Sequence, residues 1–301
     1  MKRSPNRKHD RRSFFKYMTA RTAQIVLQNR TLRWSSPIEF NDPFDIPRQV
    51  LFGIDAADIR KAARECLIEI LNNPPNETTD LNIKVQLILE AIKKADSDIK
   101  KKIIEEIQTM PVDSSIDPSS LNELKTIWRS FIPEFRVLCL CETHDTVSMW
   151  YHYADKYRGI VIEFECNDDL DSAWLVAEPI KYADTIPEIS SAKGWAKVLL
   201  KTKEKAIETL LKVCTFSKTP DWSYEKEWRV TSFKRPHETG TVSDYKFNAK
   251  EIKSVYLGPL IDQNNMTDIL KILNDNFSHV EVYTSKIGMN RSFIFSKIEK
   301  L

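Results

Sequence analysis

The chain of 301 residues is 42% hydrophobic and 29% charged, and 45 Lys and Arg stand against 43 Asp and Glu, a net charge of +2. That composition buries a sizeable core as one large or two small domains, and the near-neutral balance argues against a role carried by whole-molecule electrostatics while neither demanding nor excluding a nucleic-acid partner. Five cysteines without a Cys-x-x-Cys pair argue against a disulfide framework or structural zinc and for a reducing compartment, and no apolar run is long enough for a signal peptide or membrane span, so the expected location is cytoplasmic.

Residues 1–12, with Lys2, Arg3, Arg7, Lys8, Arg11 and Arg12, read as a flexible basic tail. The run Phe14 to Met18 is rich in strand formers, Thr19 is a plausible cap, Ala20 to Gln28 has the spacing of a short helix, and Thr31 to Trp34 resumes extended character before Ser35-Ser36-Pro37. Phe40-Asn41-Asp42-Pro43-Phe44-Asp45 is a polar turn in which Pro43 keeps its predecessor extended and Asn41 or Asp42 bonds nearby backbone. Asn41, Asp42 and Asp45 therefore suit either a ligand or the stapling of their own loop.

From Asp55 to Pro133 the pattern turns helical, over Ala56 to Leu71, Leu81 to Ala95, Asp98 to Met110 and Leu121 to Phe131, with prolines at 74–75 and 111–118 as punctuation. This predicts a helical insert over 55–133 and an α+β core over 13–54 and 134–301. Its lysine clusters, Lys93-Lys94 and Lys100 to Lys102, read as solvated faces. The core resumes with a buried strand at Val137 to Leu140, a short aromatic helix at Ser148 to Asp155, and a strand at Gly159 to Phe164. A long helix from Ala192 to Val213 follows. Ile252 to Leu257, Val280 to Thr284 and Ser292 to Ser296 are strands, and Met266 to Phe277 is a helix.

The densest chemistry lies in Trp222-Ser223-Tyr224-Glu225-Lys226-Glu227-Trp228-Arg229-Val230. Residues two apart on a strand share a face, so Glu225 and Glu227 are expected to converge on one ligand, the alternative being a solvated strand edge. Arg229 is placed either to pair with a carboxylate or to grip a pyrophosphate. Trp150, Tyr153 and Tyr17 offer aromatic faces or simply core packing. His152 lacks a partner at metal-ligand spacing, and the absence of a Gly-x-Gly-x-x-Gly or phosphate-loop motif removes the Rossmann and nucleoside-triphosphatase readings.

Three blocks, LRWSSPIEFNDPFD (Leu32 to Asp45), SMWYHYADKYRGIVIEF (Ser148 to Phe164) and WSYEKEWRV (Trp222 to Val230), resemble in order the mostly bacterial domain of unknown function 2971, over roughly Phe14 to Leu257. The blocks also resemble the core of ADP-ribosyltransferases, with Tyr17-Met18-Thr19 in the opening unit and Glu225-Lys226-Glu227 as the later acidic pair. Tyr17 stands where many members carry His or Arg, and Cys139-Leu140-Cys141 where Ser-Thr-Ser is usual.

That resemblance implies a mixed or antiparallel sheet core, NAD as substrate, a macromolecular acceptor (protein or nucleic acid), and a setting in toxin or phage-defence biology. It implies Glu227 as the carboxylate favouring a cationic ribose, Glu225 as the base for the acceptor, and Tyr17, Thr19, Trp150, Tyr153, Asn41, Asp42 and Arg229 as ligand contacts. No resident metal is expected on this reading. Two alternatives remain: a nuclease with Asp42, Asp45, Glu163 and Glu227 around Mg²⁺, and a non-catalytic module binding nucleotide or nucleic acid.

Overall fold

A computed structural model describes residues 3–48, 54–109 and 118–298. Lys2, Met110 and the punctuating segment up to residue 117 lie outside these. In chain order the elements are β1 (Ser13–Met18), α1 (Ala20–Asn29), β2 (Thr31–Ser35), α2 (Ala56–Asn72), α3 (Ile83–Lys94), α4 (Ser97–Thr109), α5 (Pro118–Glu134), β3 (Phe135–Cys141), α6 (Val147–Tyr153) and β4 (Ile160–Glu165). There follow β5 (Glu178–Pro179), β6 (Lys181–Tyr182), α7 (Pro187–Ser190), α8 (Ala192–Leu199), α9 (Lys203–Thr215), β7 (Ser217–Lys218), β8 (Glu227–Phe233), β9 (Val242–Lys246), β10 (Ile252–Leu257), α10 (Gln263–Asn276), β11 (Glu281–Ile287) and β12 (Phe293–Ile298).

The protein is a mixed α+β chain of two compact units. A sheet unit comprises Met1–Phe40, Glu134–Tyr182 and Lys218–Leu301, and a helical unit comprises Asn41–Pro133 and Ala183–Ser217. The helical unit thus takes in residues 183–217 and the 41–45 loop, which the sequence reading placed in the core. Its apolar centre explains the first addition: Ala196 and Leu200 of the 183–217 segment pack with Ala63, Cys66 and Leu71 of α2 and Val85 and Leu89 of α3.

The single long helix expected over Ala192 to Val213 is two helices. Thr202 caps α9 by accepting from Lys205 N (3.3 Å), and its own backbone N–H donates to Asp80 O (2.8 Å) while Lys201 bridges Leu81. These bonds compete with helix continuation at the one point where a capping residue interrupts the pattern.

In the sheet unit the strands run β12-β11-β10-β4-β1-β3-β2-β9, with β8 paired along the whole of β3 and β5 on β8. Most pairings are antiparallel; β10 and β11 are parallel because α10 forms the crossover between them. Strand β4 is apolar on both faces except at Glu163 and its last residue, as befits a central strand covered twice. On one face α1 and α10 set Ala23, Val26, Leu27, Ile269 and Leu273 against Leu138, Leu140, Ile160, Ile162 and Val255. On the other, α6 sets Met149 and Trp150 against Phe15, Tyr17, Cys141, Val161 and Tyr256.

Residues 3–12, expected as a flexible tail, are anchored. Arg7 holds Asp168 through Nε (2.8 Å) and Nη2 (3.0 Å), Ser4 N and Oγ donate to Asp168 and Asp171, and His9 donates to Trp174 O (2.8 Å). The basic arm has an acidic turn to bind, and the Arg7 fork is nearly buried in doing so.

Candidate functional site

The site is built from the approach to β8. Pro220–Glu225 forms a 3₁₀ turn, Lys226 adopts a left-handed backbone (φ 44°, ψ 52°), and β8 begins at Glu227. Glu225 and Glu227 do converge, but through this turn and not through strand alternation. Both carboxylates reach one ammonium, Lys218 Nζ, at 2.6 Å from Glu225 and 3.2 Å from Glu227.

Arg229, two residues along β8 and so on the same face as Glu227, grips that carboxylate through Nε (2.7 Å) and Nη2 (3.1 Å). The internal pairing is the one Arg229 adopts; it is 1% exposed and offers no free fork for a pyrophosphate. The strand register sets Cys141 opposite Glu227 and Cys139 opposite Arg229, so the cluster lies on the α6 face of the sheet. Lys218, Glu225, Glu227 and Arg229 are all buried, two cations with two carboxylates. A buried group of this kind is held only by mutual pairing.

The two acids differ in their protonation. Burial pushes Glu227 upward, yet the adjoining Arg229 guanidinium and then Lys218 outweigh it and hold the carboxyl at about 2. Glu225 moves the other way: burial raises it, Lys218 opposes, and the neighbouring Glu227 charge raises it further. Tyr153 donates its hydroxyl to Glu225 Oε1 (2.5 Å), and Tyr182 accepts from Glu227 N (2.8 Å). Burial, then carboxylate charge, pushes the Tyr153 phenol up, so it stays a donor. The Cys139 thiol is likewise pushed up by burial and by Glu227.

Tyr153 sits at the end of α6, where Asp155, Lys156 and Tyr157 take left-handed φ values of 47°, 50° and 72° and turn the chain into β4. Gly159 closes that turn: a Cβ there would lie 2.2 Å from Met18 O. Around the buried charges stands a rim of aromatics. Lys218 Nζ lies 4.7 Å from the Trp222 ring, Trp222 neighbours Tyr224 at 6.1 Å, and His152 neighbours Tyr224 at 6.2 Å. Tyr153 is 38% exposed, so the rim reaches solvent while its hydroxyl points inward.

The remaining expected contacts fall elsewhere. Trp150 is fully buried and donates to His144 O (2.7 Å), and Tyr17 is buried edge-on to it, donating to Thr143 O (3.0 Å). These two rings are core and present no face to a ligand. Thr19 caps α1 by accepting from Thr22 N (3.1 Å). Asn41 and Asp42 belong to the helical unit, where Asp42 staples its loop by accepting from Phe44 N (2.8 Å). Of the acids named for the nuclease alternative, Glu163 is engaged by Ser13, Lys253 and Tyr256, and Glu227 by Arg229 and Lys218. Among the described residues no three His, Cys, Asp or Glu gather so as to hold a metal ion.

Lys218 and Tyr182 were not anticipated. Lys218 ends the small and apolar run Cys214-Thr-Phe-Ser-Lys before Thr219-Pro220, and a lone lysine there, upstream of two acids destined for burial, is the only signal.

Residues 149–230 match the family model described as Protein of unknown function (DUF2971). The match is narrower than the resemblance from Phe14 to Leu257, and it contains Tyr153, Tyr182, Lys218, Glu225, Glu227 and Arg229. No curated protein and no solved structure matches the chain. No helix among the described residues is long and apolar enough to cross a membrane.

Proposed function

We propose that the protein is an ADP-ribosyltransferase-like enzyme that breaks the nicotinamide–ribose bond of NAD and passes ADP-ribose to a macromolecular acceptor. The observation that carries this reading is the buried pair Glu225 and Glu227, turned toward one positive charge and displaced in opposite directions in pKa. Two carboxyls pushed apart by their surroundings are the usual arrangement for divided acid–base and electrostatic roles. The substrate class rests on the resemblance of the three motifs, a fold-level analogy to which the carboxylate geometry adds chemical support.

In the proposed reaction the C1′–N bond breaks with its electron pair going to the pyridinium nitrogen, which leaves nicotinamide neutral and ribose cationic. Glu227, ionised at any physiological pH, supplies fixed negative charge toward that cation. The acceptor's nucleophile bonds to C1′, and its proton passes to Glu225, the carboxyl with the raised pKa. The exposed Tyr153 and the half-buried Tyr224 supply flat surface beside the acids. Tyr17, Trp150 and Arg229 take no part in ligand contact here; they hold the floor of the site.

The test is purified protein with NAD, alone and with cell extract, followed by nicotinamide release and by label on protein and nucleic acid. Release that vanishes in Glu227→Gln and falls at least about a hundredfold in Glu225→Gln, with both variants folded, supports the reading. Undiminished release in both variants, or none from the native protein with extract, overturns it.

A further inference from the structure

We propose that the helical unit carries a second, separate site, a cavity on α8 and α9 that binds the terminal phosphate of a phosphorylated small molecule. The cavity holds about 410 Å³; its lining includes Gly194 and Val198, and its polar lining is Ser191, Lys193, Lys197, Lys201 and Thr209, with Glu188 as the one acid. That volume lies in the range of small-molecule sites. It goes beyond the reading of the Glu225 and Glu227 cluster, since every lining residue belongs to the helical unit.

The lysines stand at intervals of four, so on and just past α8 they form one stripe with about 6 Å of rise between neighbours. Their commitments differ. Lys193 is paired with Glu69 (2.7 Å), and Lys201 donates to Thr209 Oγ1 (2.9 Å). Lys197, exposed and central in the stripe, has no carboxylate within ion-pair distance among the described residues. With Glu69 neutralising Lys193 and Glu188 on the lining, the three ammonium groups leave a local charge of +1. A phosphomonoester carries about −1.5 to −2 at neutral pH and three acceptor oxygens, the kind of group an excess of ammonium donors with Lys197 at its centre attracts. The Lys93-Lys94 and Lys100 to Lys102 clusters, by contrast, do not line this cavity.

Calorimetric titration of the intact protein with AMP, inorganic phosphate and adenosine tests the assignment. The expected result is saturable binding of AMP and none of adenosine. Lys197→Met weakens AMP at least about tenfold, Lys197→Arg retains it, and Glu188→Gln tightens it. Inorganic phosphate binding as tightly as AMP keeps the site and makes free phosphate its ligand. Because AMP is also half of NAD, Glu227→Gln is run alongside. AMP binding that survives Glu227→Gln and falls with Lys197→Met places the ligand in this cavity whether or not NAD is a substrate. Binding indifferent to Lys197→Met, or absent for both AMP and phosphate at millimolar concentration, overturns the proposal.

Discussion

Glu163 and Glu227 are both buried acids on the α6 face of the same sheet, yet their surroundings are of different kinds. Glu163 takes a bond from Ser13 Oγ (2.7 Å), from Tyr256 OH (3.2 Å) and from Lys253 (3.0 Å), whose side chain is half exposed. Burial pushes this carboxyl up, and the Ser13 and Lys253 bonds more than offset it, leaving it below its ordinary value. It is one acid, satisfied by neighbours on adjoining strands and tied to solvent through its cation. Glu227 has buried cations and a second acid two residues away, displaced in the opposite direction. A lone satisfied carboxylate locks strands; a pair with divided protonation is what acid–base chemistry uses.

Glu227→Gln is expected to cost the most, since it leaves Arg229 without its anion and Lys218 with Glu225 alone. Breaking a buried pair costs about 3–5 kcal/mol, read by denaturant melts. Glu163→Gln retains hydrogen-bonding capacity and has a cation that can turn to water, so its cost is about 1–3 kcal/mol. Equal losses at the two sites would erase the distinction.

Acid sharpens it further. Glu227 has a native pKa of about 2 against an ordinary 4.5, so its stabilisation is complete above about 4.5 and is lost as pH falls toward 2. Glu225 has the opposite sign: its raised value favours the protonated native state, and that contribution fades as pH rises through it. The acid-induced loss of stability between pH 4.5 and 2 is therefore smaller in Glu227→Gln than in the native protein, by melts at a series of pH values. The smallest effect is that of Tyr153→Phe, which removes one hydroxyl bond to Glu225 at about 1 kcal/mol and moves the Glu225 titration upward.

Much of the sheet was legible because its central strands are apolar on both faces: Val137 to Leu140 and Gly159 to Phe164 read directly as strands, and β3 and β4 occupy them. Strand β9 was not, since Val242-Ser-Asp-Tyr-Lys is largely polar and lies at an edge, with β2 as its partner. The acidic pair was legible as two acids that converge, although strand alternation is not what brings them together, and Arg229 as their neighbour. The device that joins them was not. Lys218 reaches them across a 3₁₀ turn and a left-handed Lys226, neither of which has a glycine or asparagine to announce it. The anchoring of Arg7 on Asp168 spans 161 residues, beyond any local pattern.

Glu225 and Glu227 are expected to titrate apart within one buried cluster. Carbon-13 NMR of glutamate carboxyls across pH, assigned with Glu225→Gln and Glu227→Gln, measures it directly. The predicted result is one resonance with a midpoint near 2 that is missing in Glu227→Gln, and one above 4.5 that is missing in Glu225→Gln. Two resonances titrating together near the ordinary glutamate value of 4.5 would contradict it.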